Sequence, residues 1–263
     1  MKKSIFIITL LVTYFYSNGQ NSKTGIIYYD HIDNHYGVSY NAYLVFNESK
    51  SNFVTAMDSL GMSGEQKNTE DGTIVEASDF NDLSKTRKHG LQVFLDKSSD
   101  SLYFSNAFSL TSRTLLVKEK KPQLKWILEK ESKKIGKFNC NKATVNFRGR
   151  KYICWYTEEI PLSYGPWKLQ GLPGMIIEAR SEDNFFVIRF KEIKYPITTI
   201  SVPKHQDELL FSNKKYISFD EYKLKQKQEI EDATNQLRIA AKKYGVQVQP
   251  LSERDNFLEI FGQ

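Results

Sequence analysis

Two cysteines, Cys140 and Cys154, are all the chain offers for covalent cross-linking. That is too few for a disulfide framework of the kind small exported domains use. Their placement also argues against a single bridge. They flank a hairpin, NKATVNF-RG-RKYICWYT, with its two-residue turn at Arg148-Gly149. Such a turn sets Phe147 opposite Arg150 and Ala143 opposite Cys154. Cys140 then faces the other side of the sheet, because side chains alternate along a strand. Two free, buried thiols are expected.

Histidine is scarce too. Of His31, His35, His89 and His205, only the first two sit among other ligand types, in YDHIDNHYG at residues 29–37. Asp30, His31, Asp33 and His35 would suffice for one zinc ion and a metal-assisted hydrolase. But an H-x-x-x-H pair converges on a helix, whereas the tyrosine-rich neighbours here indicate a strand. There the two imidazoles stand about 13 Å apart at ~3.3 Å per residue. An exposed edge of a β-hairpin is the plainer reading. No G-x-S-x-G nucleophile elbow and no phosphate-binding glycine motif occurs, so nothing implies a cofactor. Glu158 and Glu159 are adjacent, so on a strand they point to opposite faces; one is left to face a cavity. No single set of residues marks a catalytic centre.

Positive charge is present but modest. The formal net charge is +6, and the lysines alternate with acids. This reads as a solvated surface and not as a nucleic-acid groove. Long apolar runs are missing apart from one. The chain opens MKKSIFIITLLVTYFYSNGQ, with Lys2-Lys3, a short apolar stretch, then Ser17-Asn18-Gly19. This is the three-part plan of a secretory signal peptide, too short to span a bilayer. Residues 1–19 are therefore expected to be removed, leaving 20–263 as one domain that is periplasmic or secreted, with no transmembrane segment. The mature chain keeps 35 basic against 31 acidic residues, a net +4. No repeat or Ser/Gly-rich linker divides it.

What the sequence does hold is β-forming residues. Runs rich in Tyr, Phe, Val, Ile and Thr recur at Thr24–Tyr29, Asn41–Phe46, Ser51–Thr55, Leu91–Leu95, Leu102–Phe104, Arg113–Val117, Leu124–Leu128, around the Gly149 hairpin, and at Met175–Ala179, Phe185–Ile193 and Ile197–Val202. Polar turns separate them. About ten strands make a sheet that curls on itself. Residues 57–77 read as a long polar loop. One helix is expected. Ser218-Phe219-Asp220-Glu221 is a capping box, and Phe219, Tyr222, Ile230, Ala233, Leu237, Ala240 and Tyr244 then recur at helical spacing, up to Gly245. The fold class is mainly β, a curved antiparallel sheet with one long C-terminal helix. Trp155-Tyr156 and Trp167 form an aromatic block that reads either as core or as the wall of a pocket for a lipid or sugar.

One stretch, YGPWKLQGLPGMI at 164–176, concentrates glycine and proline. Pro173-Gly174 suits a type II turn with positive φ at the glycine. Gly165-Pro166 makes an earlier corner. Trp167 and Leu169 share a face if the residues between are extended.

The run from Trp126 to Ile177 resembles the signature of the GLPGLI family of exported bacterial proteins. Cys140 with Lys142-Ala143, Gly149-Arg150, Trp155-Tyr156-Thr157, Ile160-Pro161, Gly165-Pro166 and Gly171-Leu172-Pro173-Gly174 carry it. Met175 departs from the Leu of the family name, and Cys154 stands where a small residue is expected. The resemblance implies an incomplete, bowl-like β-barrel, similar to the non-catalytic N-terminal domain of some exported peptide-N-glycosidases. It implies the Gram-negative envelope and the setting of TonB-dependent outer-membrane uptake. The expected partner is then an outer-membrane transporter, or a glycan, lipid or peptide ligand bound on the concave sheet by a non-enzymatic protein. If export is right, N-terminal sequencing of the protein isolated from the cell envelope or medium starts at Gln20. A chain retaining Met1 there would refute the cleaved signal.

Overall fold

The computed structural model describes residues 24–34, 38–55, 91–108, 113–197 and 216–261. The signal segment, the 57–77 loop, His35, His89, His205 and most of the expected 197–202 strand lie outside them. Six strands come first: β1 (Thr24–Asp33), β2 (Val38–Phe46), β3 (Lys50–Thr55), β4 (Gln92–Asp96), β5 (Ser101–Phe108) and β6 (Arg113–Lys120). Then follow β7 (Ile127–Ile135), β8 (Phe138–Phe147), β9 (Arg150–Thr157), β10 (Met175–Ser181), β11 (Val187–Ile197) and β12 (Ile217–Ser218). The helix α1 (Phe219–Lys242) and the short α2 (Glu253–Asn256) close the chain.

All twelve strands form one sheet, ordered β12-β6-β5-β4-β3-β2-β1-β11-β10-β9-β8-β7. Its two ends do not pair with each other, so the sheet is open and not a closed barrel. Neighbours are antiparallel except β12 on β6. The hairpin at Arg148-Gly149 has the expected register, with Phe147 opposite Arg150 and Ala143 opposite Cys154. Both turn residues have positive φ, 50° and 75°, the type I′ pattern that matches strand twist. Both cysteines are free and buried. Burial raises the Cys140 thiol to about 11 and the Cys154 thiol still further.

Two strands differ from the sequence reading. β1 is not a hairpin edge: it lies between β2 and β11, deep in the sheet. The strand placed at Leu124–Leu128 instead runs from Ile127 to Ile135. Its Glu- and Lys-rich part is an edge strand with nearly every side chain exposed, so no in-out alternation exists to read. Charged side chains on an edge also deter pairing with other chains.

The sheet has a seam. β10 and β11 share only two register pairs, Ala179 with Ile188 and Arg180 with Val187. Beyond them the strands part, and the segment after β9 lies along the buried start of β10. Met175 N–H donates to the Ile160 carbonyl at 3.0 Å, and Ile176 N–H to the Tyr164 carbonyl at 2.9 Å. The Ile176 carbonyl accepts from the Tyr29 hydroxyl at 3.1 Å, reaching across the gap to β1. The segment then crosses the inner face, burying Trp167, Leu169 and Leu172 in the main core. It is clamped from outside: Trp126 Nε1 donates to the Gln170 carbonyl, and Gln170 Nε2 to the Pro122 carbonyl.

Within this crossing the backbone departs from expectation. Trp167, at φ 55°, is left-handed, so the residues around it are not extended. Leu169 N–H turns back to the Pro166 carbonyl. Gly171, at φ 95°, takes the positive φ; Gly174 does not. Gly174 is required for a different reason. A Cβ there would lie 2.0 Å from the Thr157 carbonyl oxygen, so the glycine allows two backbones to touch.

α1 starts as expected, with Ser218 Oγ accepting from Glu221 N–H at 3.1 Å. Its buried residues are Tyr222, Gln226, Glu229, Ala233 and Thr234. The anticipated apolar face fails in the last turns: Leu237 is 44% and Tyr244 75% exposed. Burial along the helix ends at Thr234, about two-thirds of the way along it.

Gly174→Ala should therefore destabilise by about 3 kcal/mol, the upper range for overpacking a close contact. Gly245→Ala, at φ 68° with open space around it, should cost only about 1 kcal/mol. Urea unfolding of both variants checks this; equal costs would remove the close-approach argument.

Candidate functional site

The most unusual chemistry lies where the crossing segment meets the end of the chain. Lys168 is fully buried. Its Nζ stands 2.8 Å from Glu119 on β6, and 2.9 and 3.0 Å from the two carboxylate oxygens of Glu259. Arg148 joins the same two acids, at 2.7 Å from Glu119 and 3.2 Å from Glu259. Two cations thus face two carboxylates, with Lys168 and both acids buried and Arg148 partly exposed. Aromatic rings complete the surroundings. Phe104 lies 3.4 Å from Lys168 Nζ, and Phe219 lies 4.0 Å from the Arg148 guanidinium carbon. Burial pushes the Glu259 carboxyl above its usual range, against the opposing pull of Lys168. Each charge is matched, so the group is a structural clasp with no spare acid or base.

Its neighbour is a second arginine from the same turn. Arg150 is buried and pairs with Asp183 in the β10–β11 turn. It donates to the carbonyls of Arg254, Phe257 and Leu258, and its guanidinium carbon lies 3.9 Å from the Phe185 ring centre. Gly149-Arg150 therefore holds the C-terminal segment to the sheet.

The aromatic block does not stay together. Trp167 is 3% exposed and packs among Phe147, Tyr152 and Phe186 at 5.4–5.8 Å between ring centres. Tyr156 is buried on the same side of β9 as Tyr152 and Cys154. Trp155 points to the opposite face, half-buried, beneath Lys133 Nζ at 4.5 Å. Lys133 in turn pairs with Glu178 at 2.8 Å. Gly165, Pro166, Gly171, Leu172, Pro173 and Gly174 all belong to the crossing segment that fills the inner face.

The seam leaves an opening. Where β10 and β11 part, a cleft of about 300 Å³ is lined by Lys137, Phe138, Glu159, Ile160, Ile193 and Tyr195. The β7–β8 turn supplies Lys137 and Phe138, the segment after β9 supplies Glu159 and Ile160, and β11 supplies the rest. Glu159 Oε1 accepts from Asn139 N–H at 2.8 Å, which fixes it at the rim. Lys133, Glu178 and Glu159 all act on the Cys140 thiol, so the Trp155 patch and the cleft flank one buried cysteine. Of the adjacent pair Glu158-Glu159, either of which the sequence leaves to face a cavity, it is Glu159 that lines the cleft.

The four candidate metal ligands do not come together among the described residues. Asp30 pairs with Lys191 at 3.0 Å. His31, on the other face of β1, packs on Phe186 at 5.5 Å. The side chain of Asp33 and the whole of His35 lie outside the description. No group of three or more His, Cys, Asp or Glu among the described residues is placed to hold a metal ion.

The buried clasp was not anticipated. Lys168 and Glu259 are 91 residues apart in sequence, beyond any local pattern. The one available signal is a lysine between Trp167 and Leu169 in a stretch too apolar to be exposed. Lys168→Ala should lower stability by about 3–5 kcal/mol, because it leaves two buried carboxylates to share Arg148 alone. Lys151→Ala, which breaks the exposed pair with Glu182, should cost less than about 1 kcal/mol. Urea titrations giving equal losses would refute the clasp.

Comparison with known proteins adds the following. A family described as a protein of unknown function (Porph_ging) matches residues 147–178, from the end of β8 through Glu178 of β10. No curated protein sequence matches the chain. Two crystal structures of PNGF-II are similar to it. The C2 form has a TM-score of 0.50 at 16% identity, and the P21 form 0.52 at 15%. Each match covers 81% of this chain and 34% of the other. The chain thus spans about a third of the length of PNGF-II, and the likeness is one of fold.

Proposed function

We propose that this chain is an exported, non-catalytic binding domain of the bacterial envelope that grips a short stretch of glycan in the cleft at its sheet seam. The observation that carries the reading is the contrast between two surfaces. The inner face of the sheet is filled by Trp167, Lys168, Leu169 and Leu172, each 3% exposed or less. The cleft between β11 and the segment after β9 is open. The described part of the inner face is thus taken up by protein side chains, which favours the cleft over the concave sheet as the place for a ligand. The cleft is near the lower limit for a small-molecule site and too small for an acyl chain. Its residues suit a sugar. Tyr195 is half-buried and brings a ring to C–H surfaces over the buried Phe138, Glu159 accepts hydroxyl protons, and Lys137 donates.

The binding role is also supported by the fold recurring as a third of the larger PNGF-II chain. The resemblance in sequence adds the setting, TonB-dependent uptake, with an outer-membrane transporter as the protein on which such a domain docks. The metal-hydrolase alternative finds nothing among the described residues in its favour.

Envelope glycan fragments screened against the purified protein by native mass spectrometry test the reading. A retained mono- to trisaccharide is expected, with Lys137→Ala and Glu159→Gln each weakening it at least tenfold at unchanged Tm. No retention at millimolar ligand, or retention indifferent to both variants, would overturn it.

A further inference from the structure

The C-terminal segment is bound to the rest of the chain as a peptide ligand is bound to its receptor. Its main chain is read at successive positions. Arg150 takes the carbonyls of Arg254, Phe257 and Leu258. Gln226 Nε2 donates to the Glu259 carbonyl at 2.7 Å. Ile260 N–H donates to the Arg148 carbonyl at 3.1 Å. Its side chains are read as well. Glu259 enters the Lys168–Arg148 pair, while Phe257 and Ile260 are buried beside it. Phe261 meets Phe219 edge-on at 5.5 Å. Even the groove floor is shaped for the segment: a Cβ on Gly149 would lie 2.6 Å from Ile260 Cβ.

Two features separate this ligand from its receptor. Residues 243–247, 249 and 250, which lead into it from the end of α1, are exposed, and the connection touches the helix at Leu251, whose N–H donates to Thr234 Oγ1 at 3.1 Å, so a mostly exposed tether joins the segment to α1. The receptor side is also left incomplete in charge without it. Lys168 and Arg148 would then share Glu119 alone, one cation in excess in a buried place, which calls for a carboxylate. We propose that the groove between the Arg148–Arg150 turn and the start of α1 is a recognition site for a peptide of aromatic-x-glutamate-aliphatic sequence, and that the Phe257–Ile260 segment is its exchangeable resident. The resident is favoured because its tether keeps it at an effective concentration in the millimolar range. The site is separate from the glycan cleft, so neither test bears on the other.

A full chain with a specific protease site inserted after Gln247 tests the inference. After cleavage, a fluorescent peptide of residues 251–263 should exchange into the nicked protein, which keeps its circular dichroism spectrum. The same peptide with Glu259→Gln should bind at least tenfold more weakly, as should one with Phe257→Ala. Uncut protein should take up the peptide at least a hundredfold less well. Three results would each overturn the site: the nicked chain unfolds, the labelled peptide fails to exchange, or a shuffled peptide of equal charge binds as tightly.

Discussion

Lys168 is fully buried, so its charge must be answered by the protein itself. The answer comes from four separate parts of the chain: Glu119 at the end of β6, Glu259 in the tail, and the rings of Phe104 and Phe219. Arg148 shares the two acids and so adds the β8–β9 turn. A buried cation that loses a partner costs several kcal/mol, whereas the intact group adds little over an apolar one. Its role is therefore to specify arrangement more than to add stability. The crossing segment, the tail, the first turn of the helix and β6 take these positions together or leave charge stranded.

Much of the sheet was legible because its signals are local. The Arg148-Gly149 turn fixed a register that the strands then follow, and Ser218 capped its helix as the capping box requires. The errors share a physical cause: each residue's local preference was overruled by something distant. Gly174 was read for its own φ, but it serves the Thr157 backbone across a close contact. The polar half of β7 looked like a break because an exposed edge strand carries no alternation. Leu237 and Tyr244 kept helical spacing where the helix has already left the sheet. The candidate site was the least legible part. Its cleft is a gap between strands, and no residue pattern encodes the place where two strands decline to pair.

That gap follows from the motif rich in glycine and proline. By inserting at the start of β10, the segment from Ile160 to Tyr164 takes the N–H groups of Met175 and Ile176, and β11 pairs with β10 only beyond them. The same insertion that carries Trp167 and Lys168 into the core thus opens the sheet next to Tyr195 and Ile193. The aromatic residues divide accordingly. Trp167 holds the interior, and Trp155 stays on the outer face near the cleft.

The seam also divides the sheet by chain distance. On one side, β7 to β10 follow one another along the chain, and each pairs with the strand before it. On the other, β1 must wait for β11, and residues as far apart as Thr24 and Ile197 meet there. Local pairings close quickly, while distant ones bear a larger loop-closure entropy before any contact rewards it. The two meanders, β1 to β6 and β7 to β10, are thus the parts able to form first, and β11, which pairs with both, joins them. β11 meets β1 along eight register pairs but β10 along only two, so the break in the sheet lies on one side of the strand that joins two locally formed pieces.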